Sequence, residues 1–271
     1  MDDLLAARVQ MEVSLAFHMI FAAIGIGMPL LMVISEGLYL RNHNKVYLNL
    51  AKKWAKVTGL LFAIGAVSGT ALSFELGLLW PVFMEFARGN IAAAFALEGY
   101  AFFTEAIFLG LYLYGWNRLS PLAHWLCGIV VAVSGALSGI LVLSANAWMQ
   151  HPTGFEIQNG KPVNVDPMAV LFNPGWFVFA MHSTIAGYID TSFAVAAVYA
   201  YGVLRRGRDE YHSKALTIAM SVATLTALVQ PIAGDLNARF TTQYQPAKLA
   251  AMEGIFATQR GAPLDRRLAR P

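Results

Sequence analysis

Charge is scarce in this chain. Charged residues fill 13% of its 271 positions, against 57% for the hydrophobic set. Soluble domains carry about 25% charged residues. A surface so short of charge cannot keep molecules apart in water, so an ordinary soluble domain is excluded and a bilayer is the expected solvent. Cysteine is nearly absent as well. Cys127 stands alone, which excludes an internal disulfide and a cysteine-based metal cluster and leaves the thiol as a small buried hydrophobe. No basic stripe interleaved with aromatics accompanies the net charge of +3, so nucleic acid is not an expected partner. The opening Met1, Asp2, Asp3 lacks the basic start of a cleaved secretory signal.

What the chain does have is long apolar runs. Spanning a bilayer takes about 20 mostly apolar residues. Six stretches qualify, at 11–38, 57–79, 91–116, 124–145, 176–204 and 215–233. Each must be helical, because a backbone in hydrocarbon has to satisfy its own hydrogen bonds. The expected fold is therefore an all-α polytopic bundle of six membrane helices. Pro29 should kink the first. Gly128, Ser134, Gly135, Ser138 and Gly139 should let the fourth pack closely, and Gly65 with Gly69 should do the same in the second. Cations gather after the first stretch (Arg41, Lys45, Lys52, Lys53, Lys56) and after the fifth (Arg205, Arg206, Arg208, Lys214). That bias puts both loops in the cytoplasm and the N-terminus outside. Trp54, Trp80, Trp116, Trp148 and Trp176 fall near expected helix ends, as an interfacial belt requires. Two regions follow: a membrane bundle over 1–235 and a polar extracytoplasmic segment over 236–271.

Ionisable groups inside membrane helices are costly, and each asks for a reason. His18 and His182 both sit several residues in from the outer ends of their helices, and Glu98 does the same in the third. A lone imidazole in an apolar helix is ordinarily a packed group donating to a carbonyl. Two at a similar depth suggest ligands, since imidazole is a common axial ligand of haem iron and a haem ring is itself apolar. His43, His124, His151 and His212 fall in loops or at helix ends and read as solvated. Glu75, at or just past the end of the second helix, reads equally well as an interfacial carboxylate or as a functional one. Glu98 and Glu105 are seven residues apart, so they project from one helix face with a rise of ~10 Å. Buried carboxyls hold protons at neutral pH and can relay them; the plainer alternative is polar packing between helices. In the tail, Pro246 suits the first turn of a short helix flanked by Lys248 and Glu253.

Several runs resemble a known family. Arg8 followed by His18, the run from Glu98-Gly99-Tyr100 to Glu105 and on to Gly115-Trp116, and Asn146-Ala147-Trp148-Met149-Gln150-His151-Pro152 are similar to subunit I of cytochrome bd-type quinol oxidases. So are Asn173-Pro174 through His182 and Gln245-Pro246-Ala247-Lys248 through Glu253. The close spacing of Glu98 and Glu105 resembles the cyanide-insensitive branch with a short quinol loop. The resemblance implies a quinol:oxygen oxidoreductase of the respiratory chain in the bacterial inner membrane. It implies that His182 ligates the low-spin haem b. His18 would ligate one haem of the oxygen-reducing pair, a high-spin haem b with haem d or a further haem b. Glu98 would lie beside that pair and Glu105 on a proton path from the cytoplasm. Lys248 and Glu253 would bind and deprotonate ubiquinol or menaquinol. The implied partners are the family's second subunit, quinol and dioxygen.

The resemblance fades near Pro263. The end, Asp265-Arg266-Arg267-Leu268-Ala269-Arg270-Pro271, looks unlike the family, whose members continue through further helices carrying a methionine ligand and a glutamate ligand. The expectation is a truncated or frameshifted reading frame, or a split gene. Competing readings are a haem-binding membrane cytochrome without oxygen chemistry, a proton-coupled transporter using Glu98 and Glu105, and an inactive fragment. The transporter reading predicts inverted repeats, and none is evident.

Overall fold

The apolar runs do form helices, and the helices outlast the runs. In the computed structural model, residues 3–255 are described; Gly261 through Pro271, with the unfamiliar arginine-rich end, lie outside the described residues. The elements are α1 (Asp3–Asn42), α2 (Lys45–Leu79), α3 (Pro81–Tyr114), α4 (Pro121–Gln150), β1 (Glu156–Gln158), β2 (Lys161–Val163), α5 (Pro167–Leu171), α6 (Trp176–Arg206), α7 (Glu210–Tyr244) and α8 (Pro246–Met252). Five of them, α1, α2, α3, α4 and α7, are long and apolar enough to cross a membrane. The sixth expected span corresponds to α6, a helix of 31 residues packed against α1, α4 and α7.

Local chemistry sets the boundaries. Asn44, Ser120, Asp166 and Asp209 cap α2, α4, α5 and α7 with side-chain oxygens, satisfying N–H groups that a helix start leaves free. Pro81, Pro121, Pro167 and Pro246 occupy first turns, where the missing N–H costs nothing. β1 and β2 form a hairpin turned by Asn159 and Gly160, both at positive φ (53° and 76°), the backbone that an Asn-Gly turn supplies. Two boundaries differ from the sequence reading. α1 starts at Asp3, not near residue 11, and α7 runs to Tyr244 through the expected break at 235. Apolar runs mark where hydrocarbon ends. A helix continues past that point when polar residues support it, as Asp235 and Arg239 do with an i,i+4 ion pair of 2.7 Å.

Sequence-adjacent helices pack as antiparallel pairs, α1 with α2, α3 with α4 and α6 with α7, and α1, α4 and α6 meet at the centre. α2 turns into α3 through Trp80 at one end, and the α1–α2, α3–α4 and α6–α7 connections gather at the other. There Asn44 Nδ2 donates to Glu210 Oε1 (2.9 Å), tying the first connection to the third. Lys52 lies over the ring of Trp116 in the second. Arg41, Lys45, Lys53, Lys56 and Arg118 belong to the same end, called the basic end below. The main hydrophobic core sits towards it, around Leu31, Met32, Leu50, Trp54, Tyr112, Tyr199 and Ile218. The hairpin, α5 and α8 lie at the opposite end.

Candidate functional site

His18 lies between α1 and α2. Its Nδ1 is 2.9 Å from Ser68 Oγ. The Ser68 hydroxyl already donates to the carbonyls of Ile64 and Gly65, so its oxygen accepts from Nδ1–H. The lone pair is left on Nε2, the arrangement a metal-ligating imidazole needs. Gly69 makes room for the ring: a Cβ there would stand 3.0 Å from His18 Cε1. Its expected companion Gly65 faces open space and packs nothing. A groove of about 620 Å³ runs beside the histidine, lined by Val13, Ser14, Phe17, Ile64, Val67 and Ala71 among others. The donor set, the free Nε2 and an apolar groove together fit a haem.

His182 lies between α6 and α7, against Gln230. The Gln230 amide nitrogen is 3.3 Å from both His182 Nδ1 and its carbonyl oxygen, while Gln230 Oε1 is buried without a partner. In this orientation the amide donates to Nδ1, and the ring hydrogen sits on Nε2. Rotating the amide would let Oε1 accept from Nδ1–H and free Nε2 for a metal. The ring site thus fits a haem once Gln230 turns.

The two histidines are level with each other. α1 and α6 run in the same direction, and Gly187 and Thr191 touch Ala23 and Gly27; His18 and His182 stand equal distances before those contacts. Glu98 is deeper than expected. Its Oε1 accepts from Ser138 (2.8 Å), and the adjoining Gly139 abuts Ile26, about two turns, or ~12 Å, further along α1 than His18. Glu98 and Glu105 do share a face of α3, turned towards α4. Glu105 is buried against Gly135, where a Cβ would be 3.0 Å from Oε1.

Glu75 lies inside α2, not past its end. Its Oε1 accepts from Ser14 Oγ (2.7 Å) and from Gln10 (3.4 Å), and its Oε2 is buried without a partner. In the tail, α8 forms as expected. Lys248 Nζ donates to Gln150 Oε1 (2.6 Å) and stands 5.8 Å from the centre of the Phe179 ring, less than one turn before His182 on α6. Gln245 donates to the Gln150 carbonyl (2.8 Å). The α8 lysine is thereby docked against the end of the bundle that carries His182. Glu253 follows at the C-cap of α8, a helix length from Lys248.

His124 is the clearest departure from the sequence reading. It is 2% exposed, and its Nδ1 is 2.7 Å from Glu36 Oε1. Glu36, which the sequence reading passed over, also accepts from the Tyr112 hydroxyl (2.6 Å). His212, also expected to be solvated, is partly covered and pairs with Asp209 (2.6 Å). Among the described residues no three His, Cys, Asp or Glu side chains form a metal cluster; His18 and His182 stand in separate helix pairs.

Comparisons with known proteins give the family and the fold. The family model for cytochrome bd terminal oxidase subunit I matches residues 6–267. The chain is 33% identical over 257 residues to the cytochrome bd ubiquinol oxidase subunit 1 of Bacillus subtilis, covering 94% of this chain and 55% of that protein. It is 31% identical over 256 residues to the cytochrome bd-II ubiquinol oxidase subunit 1 of Escherichia coli, covering 93% and 50%. The solved structure of bd oxidase from Geobacillus thermodenitrificans superposes with a TM-score of 0.91 at 38% identity, covering 94% of this chain and 60% of that one. The chain thus spans between half and three-fifths of the length of these relatives.

Proposed function

Because the chain belongs to the cytochrome bd terminal oxidase subunit I family, we propose that it carries the haem-ligating and quinol-facing part of a membrane quinol:oxygen oxidoreductase. One observation supports this most directly: two histidines stand at one level on different helix pairs, and Lys248 lies over the ring of Phe179, three residues before the second. Haem bound at these residues supplies one-electron transfer and oxygen binding. His182 would hold the low-spin haem b nearest the quinol. His18 would hold one of the oxygen-reducing pair, high-spin haem b with haem d or another haem b.

The protein's own groups handle the protons and the positioning. Lys248 fixes the head group of ubiquinol or menaquinol, and Glu253 takes its proton as electrons leave. Two quinols become two quinones, and four electrons with four protons convert dioxygen to two waters. Ser68 keeps His18 in the ligating tautomer, and Gln230 does the same for His182 after its amide turns. Glu98 and Glu105 carry protons along the α3–α4 interface. With the basic end in the cytoplasm, the N-terminus and α8 lie outside, so quinol protons leave on one side and oxygen-bound protons arrive from the other. A second subunit is the expected partner in the bacterial inner membrane. The boundary near residue 235 separates the haem-bearing bundle from the quinol segment in function, although α7 runs through it.

A second reading is a membrane cytochrome that holds haem at His18 and His182 without reducing oxygen. A reduced-minus-oxidised absorption spectrum of the membrane-extracted protein, with His18→Ala and His182→Ala variants, tests both. Haem bands lost in each variant, with quinol-dependent oxygen uptake in the wild type, are expected. Haem without oxygen uptake selects the second reading, and no haem on folded protein overturns both.

A further inference from the structure

The Glu36, His124 and Tyr112 cluster lies outside the haem and quinol residues, towards the basic end. Both members of the Glu36–His124 pair are 3% exposed at the side chain. His124 Nε2 is 2.9 Å from the Tyr112 carbonyl oxygen. A carbonyl only accepts, so Nε2 carries a hydrogen. The 2.7 Å contact between Nδ1 and Glu36 Oε1 therefore holds one further proton, on the nitrogen or on the oxygen. Glu36 Oε2 is occupied by the Tyr112 hydroxyl. The pair is neutral in either form and stores one transferable proton away from water. Trp116 covers the imidazole at 4.0 Å between ring centres, and Lys52 lies 5.2 Å beyond, over the Trp116 ring. The Cys127 thiol on α4 is the other titratable neighbour of Glu36.

The cluster is in line with the acids of α3. Glu98, Glu105 and Tyr112 follow one another at seven-residue steps, a single stripe on the helix. α4 is cut to receive them. Ser138 bonds Glu98, Gly135 backs Glu105, and at Gly128 a Cβ would stand 2.7 Å from the Tyr112 ring. In this antiparallel register one apolar layer, Leu109 and Val131, both buried, separates Glu105 from the cluster.

We propose that the Glu36–His124 pair is a proton-loading site that supplies Glu105, with Leu109 and Val131 as the gate between them. This rests on the oxidase reading above. In the step, the shared proton leaves the pair and forms an O–H bond on the Glu105 carboxylate. Glu36 is left as a carboxylate beside a neutral His124, and a proton from the basic end restores the pair.

The test uses the haem-loaded oxidase in membranes. Glu36→Gln keeps the size and hydrogen-bonding capacity of the side chain but cannot release a proton. It should lower quinol-driven oxygen uptake by about a hundred-fold, while quinol reduces the haem at an unchanged rate. Glu36→Gln combined with Glu105→Gln should be no slower than the slower single variant, because both act on one path. His124→Gln serves as a second variant should Glu36→Gln lose haem. pH-difference infrared spectra of the wild type should show a carboxyl or imidazole signal that Glu36→Gln removes. Wild-type oxygen uptake in Glu36→Gln, or losses that multiply in the double variant, overturns the proposal. Should quinol fail to reduce haem in the wild type, the oxidase reading falls, and the infrared signal alone decides whether the pair exchanges a proton; its absence overturns that too.

Discussion

The two ends of this bundle are finished to different degrees. Towards the basic end, Leu31, Met32, Leu50 and Trp54 are fully enclosed, and both oxygens of Glu36 and both ring nitrogens of His124 are hydrogen-bonded. Towards the other end, Leu4, Leu5, Val9, Val13, Phe17, Met19 and Ile20 of α1 stand exposed. The buried side-chain atoms without partners also belong there: Glu75 Oε2, Asn90 Oδ1, Thr153 Oγ1, Trp176 Nε1, Gln230 Oε1 and Gln245 Oε1. Native proteins pair nearly all their buried polar groups, so polar atoms left over on one side mark walls built to face something else. One end is satisfied by its own side chains; the other leaves polar atoms to which the proposed haem and quinol sites assign a use.

The sharpest way to break this comparison is Glu36→Leu, which strands His124 towards the basic end. Removing one partner of a buried pair costs about 3–5 kcal/mol, read as a lower unfolding midpoint in detergent. Ser14→Ala, which takes a partner from Glu75 at the open end, should cost about 1 kcal/mol. Equal losses would show both ends to be equally load-carrying. Next, Ser68→Ala frees His18 Nδ1 from its acceptor. Haem affinity should fall about ten- to a hundred-fold in a haem titration, with little change in unfolding. A smaller contrast comes from two glycines. Gly128→Ala pushes into Tyr112 and should destabilise by about 1–2 kcal/mol; Gly65→Ala enters open space on a helix and should be neutral or stabilising by under ~1 kcal/mol. The smallest effect belongs to the turn before α7. The His212 backbone N–H, and then its side chain, hold the Asp209 carboxyl below its ordinary value. Its contribution is present above the unfolded value of about 3.9 and is lost as pH falls through the lower folded value. Asp209→Ala should therefore shift the melting midpoint at neutral pH and cease to matter in strong acid.

The open end was the more legible in sequence. His18 and His182 stand out because an imidazole within an apolar run has no local excuse, and Glu98 with Glu105 stand out as carboxylates inside an apolar helix at a seven-residue spacing. Pro246 announced α8. The finished end was opaque for the opposite reason. His124 sits three residues after the turn that ends at Pro121 and looks solvated; its partner Glu36 lies 88 positions away, two residues before the end of the first apolar run. Only the packing of α1 against α4 joins them. Counting from helix ends places Glu98 too shallow because it ignores how far each helix protrudes. Gly65 and Gly69 are identical as a pattern, yet only one meets a ring. Asn159-Gly160 carried a hairpin signal that the apolar runs overshadowed.

Pro29 stands where the finished part of α1 begins: Leu31, Met32, Val33, Ser35 and Glu36 beyond it are buried, as are Gly27 and Met28 just before it. Having no N–H, it leaves the carbonyl one turn earlier, on Gly25, without its helical bond. The helix runs through Pro29 unbroken, so one hydrogen bond fewer ties its exposed arm, which bears His18, to the enclosed part that bears Glu36.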